Sequence, residues 1–161
     1  MSLWFISLCA ASVIAYAVIG GVFLAFSDFL MRSFNRVTGQ GGIESMQILN
    51  VEIMRSVFMV LFIGLVPVSL VIIVYAALFG EGTPRLLLML AGALYLVGVF
   101  AVTAAGNVPL NNHLAALAAS SSEAQDFWTK RYMTRWVSLN TLRTIACLLA
   151  SGMTLAALVM R

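Results

Sequence analysis

From Leu3 to Phe26 the chain runs without a single charge, and three more stretches read almost the same way: Ser56 to Phe79, Leu86 to Ala105, and Trp136 to Met160 with one arginine. Each is about as long as the 20 or so apolar residues that cross a bilayer. Lipid offers the backbone no hydrogen bonds, so a span must satisfy its own N–H and C=O groups as a helix. The expected fold is therefore all-α, a four-transmembrane-helix bundle, with 161 residues forming one domain over 1–161. Only 9% of residues are charged, against about 25% in a soluble domain. The first span is read as permanent, because MSLWFISLCA has no basic residue ahead of an apolar run longer than that of a signal peptide. Cys9 and Cys147 fall inside spans, with no CxxC or Cys/His spacing, and read as small buried hydrophobes.

Basic residues set the expected orientation. Arg32, Arg36, Arg55, Lys130, Arg131, Arg135 and Arg143 fall toward one side and only Arg85 and Arg161 toward the other. By the positive-inside rule the long polar connections are cytoplasmic and both termini lie outside. An integral protein of a bacterial inner membrane is expected. The net charge of +3 then needs no nucleic acid, since arginines beside an anionic leaflet account for it.

The two sides differ in build. GEGTP, residues 80–84, makes a tight outer hairpin. On the inner side lie amphipathic extensions: Asp28 to Val37, a TGQGG break at 38–42, Ile43 to Arg55, and Glu123 to Arg135, with Ser120 to Ser122 as an N-cap. A helix from Glu123 to Met160 would extend roughly 57 Å at 1.5 Å per residue, well beyond a core of about 30 Å. The second helix, starting near Ile43, is expected to project in the same way, and Pro67 to kink it at mid-span.

Polar groups concentrate in a few places. Trp128, Tyr132, Trp136 and Asn140 recur at four-residue steps with Arg143 following, one stripe of a helix. The aromatic part reads as an interfacial belt or as a pocket wall. Arg143 points into an apolar stretch, so it is expected to face the interior and find a partner. Asp28 and Glu52 either pair locally with Arg32 and Arg55 or answer Arg143. Gln47, Asn50 and Met54 share a face ahead of Phe58, the pattern of a polar-ended pocket. In NVPLNNHLAAL, residues 107–117, Gly106 and Pro109 are expected to break the third helix. That would turn Asn107, Asn111, Asn112 and His113 inward, with an ordinary Asn-Pro loop cap as the other reading. A carboxylate-bridged di-iron bundle needs about four acids and two histidines on facing helices. The six acids here lie mostly near the connections, and the single histidine excludes both that site and bis-histidine haem within one chain. No metal site is expected, although a single His113 haem ligand or a His and Met pair stays open by counting. No P-loop, GxGxxG, HExxH or GxSxG occurs.

GVFLAFSDFLMRSF, MQILN, AGNVPLNNHLAAL and FWTKRYMTRWVSLNTLRT, in that order, resemble the anthrone-oxygenase-like integral membrane family over nearly the whole chain. The matching positions are Gln47, Asn50, Asn107, Pro109, Asn111, Trp136, Asn140 and Arg143. MRSF and Leu139 depart from the common pattern and leave the substrate open. The resemblance implies a membrane-embedded oxidoreductase that oxidises a hydrophobic aromatic substrate, polyketide-like or quinol-like, with dioxygen and no cofactor. Haem or a bound quinone is left open. An electron-rich carbanion can reduce dioxygen itself, so the protein needs a base, oxyanion donors and a dry aromatic cavity. His113 is the expected base, because histidine is the residue type that ionises nearest neutrality, with Asp28 or Glu52 behind it. Arg143, Asn140 and Asn107 are the expected catalytic donors, and Gln47, Asn50, Asn111, Tyr132 and Trp136 the substrate-binding residues. Two other classes stay open, a lipid- or quinone-binding partner subunit and a small transporter, as does a homo-oligomer.

Overall fold

The computed structural model describes residues 1–160. Five helices account for nearly all of them: α1 (Leu3–Arg36), α2 (Gly41–Glu52), α3 (Val57–Phe79), α4 (Gly82–Ala115) and α5 (Ser122–Val159). No strand occurs among the described residues. All but α2 are long and apolar enough to cross a membrane, and the protein is an integral membrane bundle. Neighbours run around the ring as α1–α5–α4–α3 and back to α1, and α5 makes the two most extensive interfaces, with α1 and with α4. Arg161, one of the two basic residues expected on the outer side, lies outside the described residues.

Close approach of the spans depends on small residues, because lipid tails give helices no hydrophobic reason to associate. A Cβ on Gly20 would sit 2.9 Å from the Cβ of Cys147, and one on Gly98 would sit 2.8 Å from that of Ala146. α1 and α4 are thereby drawn against the same helix, α5. Buried hydroxyls add hydrogen bonds across the bundle. Tyr16 and Ser69 share one at 2.7 Å, Tyr95 donates to the Phe62 carbonyl at 2.6 Å, and Ser151 donates to the Val13 carbonyl at 2.9 Å. Cys9 and Cys147 are both buried and free.

At the GEGTP hairpin only Gly80 and Glu81 separate α3 from α4, as the sequence leads one to expect. The opposite end is splayed and capped. α5 runs for 38 residues, and Ser121 Oγ accepts the Ala124 N–H at 3.1 Å to cap its start. α2 does not merge with α3, contrary to the expectation of one long second helix. After a 3-10 turn at Ile53–Arg55, Ser56 is extended at φ −93°, ψ 158°. Its hydroxyl accepts the Met59 N–H to start α3 afresh, a role serine fills well. α2 can therefore lie across the bundle's end, where Ile43 and Met46 join a core with Met31, Leu114, Trp128 and Tyr132.

The expected break at Gly106 and Pro109 does not occur. In an α-helix the Pro109 ring would strike the carbonyl four residues back. A wide π-type turn, Thr103–Asn107, precedes it, with the Val108 N–H bonded to the Thr103 carbonyl five residues back. Pro109 then stands in the first turn of the following segment, where no N–H is needed. Similar wide turns interrupt α1 at Phe26–Leu30 and α5 at Trp128–Tyr132.

α2 folds back on α1 where Gly42 lies against the Phe34 backbone. A Cβ there would fall 2.1 Å from the Phe34 oxygen. Gly42→Ala should therefore destabilise the polar end by about 1–3 kcal/mol, whereas Gly64→Ala, with nothing within 4 Å, should cost nothing. Thermal unfolding of both variants in detergent checks this.

Candidate functional site

A cavity of about 470 Å³ lies at the splayed end, where α1, α2, α4, α5 and the start of α3 converge. Its size falls within the roughly 300–1,000 Å³ usual for small-molecule sites. Phe23 and Phe26 of α1, Phe58 and Phe62 of α3 and Trp136 of α5 supply aromatic wall, and α2 closes one side with Met46, Gln47 and Asn50.

Arg143 is the one charged side chain on that wall. Counted from Val159 it stands roughly 24 Å along α5 at 1.5 Å per residue, still within a core of about 30 Å. It is only 5% exposed. Neither Asp28 nor Glu52 answers it, contrary to one of the expected pairings. Asp28 pairs with Arg32 at 3.2 Å on the exposed surface, and no carboxylate lies within ion-pair distance of Arg143 among the described residues. Neutral groups hold it instead. Nη2 donates to Asn140 Oδ1 at 2.7 Å and Nη1 to Thr103 Oγ1 at 3.1 Å. The guanidinium carbon lies 4.2 Å from the Phe23 ring centre and 5.4 Å from that of Trp136. Such contacts contribute about 2 kcal/mol each when desolvated, which offsets part of the cost of burying the charge.

Asn140 sets the guanidinium's place. Its Nδ2 donates to the Phe23 carbonyl and to Ser27 Oγ, each at 2.6 Å, where α1 widens. One amide thus joins α1 to the arginine of α5, and through Thr103 the arginine joins α4. Asn111 orients the aromatic wall: its Oδ1 accepts from Tyr132 Oη at 2.7 Å and from Trp136 Nε1 at 2.8 Å. Trp128, Tyr132 and Trp136 stack at 5.3 and 6.1 Å between centroids, nearly parallel. All three are buried, so they form core rather than an interfacial belt. Trp128 Nε1 also donates to Asn35 Oδ1 at 3.0 Å, which ties α5 to the end of α1.

The structure brings Gln47, Asn50, Asn111, Trp136, Asn140 and Arg143 to one cavity. Gln47 spends its amide N–H groups on the Leu114 and Leu117 carbonyls, at 2.8 and 3.0 Å, and so fastens α2 to the end of α4. Tyr132 stands behind Trp136 and does not line the cavity. Asn107 is buried nearby, donating to the Trp136 carbonyl at 3.2 Å, but is not on the wall. His113 is not brought to the cavity. It is exposed on another face of α4, its ring 4.3 Å from that of Phe127. The cavity wall holds no carboxylate and no imidazole, so the position expected of a general base is empty of one. No group of three His, Cys, Asp or Glu suited to a metal occurs among the described residues.

Sequence reasoning overlooked Phe23, Ser27 and Thr103. Thr103 has a weak signal, standing one helical turn ahead of Asn107 and ten residues ahead of His113. Phe23 and Ser27 fall within GVFLAFSDFLMRSF, a stretch that carries the family resemblance, but an aromatic ring and a hydroxyl are unremarkable at the end of a span.

Two of the polar groups on the wall keep buried N–H groups without a partner, Arg143 Nε and Asn50 Nδ2. Buried donors are satisfied in all but a few cases, so a wall with two free ones is suited to a ligand carrying acceptors. The family model described as anthrone oxygenase matches residues 54–153. The chain belongs to the anthrone oxygenase family. The match takes in α3, α4 and most of α5, and with them Thr103, Asn111, Trp136, Asn140 and Arg143. No curated protein matches the chain, and no solved structure does.

Replacing Asn140 by Ala removes three hydrogen bonds, one of them to a buried cation. Losses of about 2–4 kcal/mol are expected where a buried charged partner is stranded. Asn140→Ala should lower the unfolding temperature in detergent clearly more than Ser138→Ala on the exposed face of the same helix.

Proposed function

We propose that the cavity binds a flat, hydrophobic aromatic ketone in its enolate form and that dioxygen oxidises it there, as in conversion of an anthrone to an anthraquinone. The supporting observation is the buried guanidinium of Arg143, which has no carboxylate partner and keeps a free Nε–H on an aromatic wall. A lone buried cation is costly unless an anion arrives to meet it. An enolate oxygen fits that need, and the donors are worth most where charge develops out of water. Family membership agrees with this chemistry.

The reaction balances without a further reductant. The methylene carbon of the ketone loses two hydrogens, one oxygen atom becomes the new carbonyl, and the other leaves as water. Arg143 and Asn50 would hold the enolate oxygen and a second acceptor, and Phe23, Phe58 and Trp136 would flank the rings. Stabilising the enolate makes the substrate a stronger acid, so its proton can pass to water at the rim. At that rim Val51, Met54 and Val108 are exposed and apolar. That edge suits a substrate arriving from the bilayer. His113 has no part in this scheme.

With an anthrone as substrate, formation of the quinone absorbance and uptake of dioxygen are measured together on protein in nanodiscs. Arg143→Met should lower kcat/KM by about 100-fold or more, the usual loss of an oxyanion donor. His113→Ala should leave it unchanged. Wild-type turnover by a folded Arg143→Met protein would end the proposal.

A further inference from the structure

A second hollow, about 570 Å³, opens on a different face of the same helix ends. Ala105, Gly106, Pro109 and Leu110 of α4 form its floor, and His113, Arg131 and Arg135 form its rim. Arg131 and Arg135 are one turn apart on α5 and so project from one face. The Phe127 ring packs against His113 and closes one end. All three basic side chains are exposed, and none has a carboxylate within ion-pair distance among the described residues. Lys130, beside them, is already paired with Asp126 at 2.6 Å.

Depth decides what such a hollow suits. Counted from Arg85 at 1.5 Å per residue, a hydrocarbon core of about 30 Å ends near Ala105. The apolar floor then lies at the level where acyl chains begin. The rim lies one to two turns beyond, among headgroups. Ordinary snorkelling arginines need no hollow beneath them. Here the cations border a hollow whose other lining side chains, those of Ala105, Pro109, Leu110 and Phe127, are apolar, which matches an amphiphile with an anionic head and a hydrocarbon tail.

We infer that this groove is a binding site for the phosphate headgroup of an anionic phospholipid, with one acyl chain along Ala105, Gly106 and Leu110. Basic pockets between transmembrane helices hold such heads by charge and hydrogen bonds. The arginines supply forked donors for the phosphate oxygens, and the apolar lining explains why free phosphate would be a poorer ligand. The site is separate from the Arg143 cavity, shares no wall residue with it, and does not depend on the oxidation chemistry.

Native mass spectrometry of the full-length protein in detergent tests this, with phosphatidylglycerol and phosphatidylcholine of matched chains as competing probes and inorganic phosphate as a third. The wild type should retain phosphatidylglycerol in preference, and millimolar phosphate should not displace it. Arg131→Gln with Arg135→Gln should weaken phosphatidylglycerol about 30-fold, from roughly fivefold per arginine at a membrane surface. His113→Gln should weaken it less. Arg32→Gln with Arg36→Gln, exposed basic residues outside the groove, should keep the preference. Equal retention of the two lipids, displacement by phosphate, or an equal loss in the Arg32/Arg36 variant would overturn the assignment.

Discussion

The polar end of this bundle is organised around one buried cation held without an anion. Arg143 draws on Asn140, Thr103, Phe23 and Trp136 from three helices. Asn140 in turn commits both its N–H groups to α1. A carboxylate partner would have neutralised the charge within the protein and left nothing for a ligand. Neutral acceptors and aromatic faces keep it charged, positioned and available. The same contacts that fasten α1, α4 and α5 together therefore leave an electropositive spot at membrane depth.

Backbone geometry makes room for this arrangement. Wide turns occur in α1, α4 and α5 at or near the level of the cavity, a feature common near functional sites. The turn at Thr103–Asn107 lets α4 pass Pro109 and still deliver Asn111 to the aromatic wall. Ser56 lets α2 leave the line of α3 and cross the open end, where Gln47 ties it to α4. The hairpin end has no such device. There Gly80 and Glu81 alone join α3 to α4, beside a hollow of about 570 Å³ that holds no buried charge, while the other end is propped open over 470 Å³ around Arg143.

Much of this was legible in the chain. The four spans, the tight hairpin, the cap at Ser121 and the length of α5 follow from hydropathy, glycine and serine placement, and a stretch from Glu123 to Ser151 without glycine or proline. The stripe from Trp128 to Arg143 also followed, since four-residue steps fall on one helical face whatever surrounds them. Other features needed the fold. Whether Pro109 ends a helix depends on turns upstream that carry no sequence mark. Whether Trp128 faces lipid or core depends on α2 and the end of α1 covering it. Gln47 and Asn50 stand three residues apart with similar amides, yet one fastens helices and the other keeps a free donor on the cavity.

His113 marks the boundary most clearly. It follows Asn111 and Asn112, and no local pattern separates residues that face the cavity from one that faces the neighbouring groove. On an unbroken helix that difference is a rotation of about 100° per residue, and the expected break had removed the rotation from consideration. Composition and periodicity alone determined that four helices cross lipid and that one arginine must be buried among them, because lipid forces both backbone and charge inward. Which groups meet that arginine was decided by tertiary structure, because it depends on the rotation and depth of each helix against its neighbours, quantities to which residues distant in the chain contribute together.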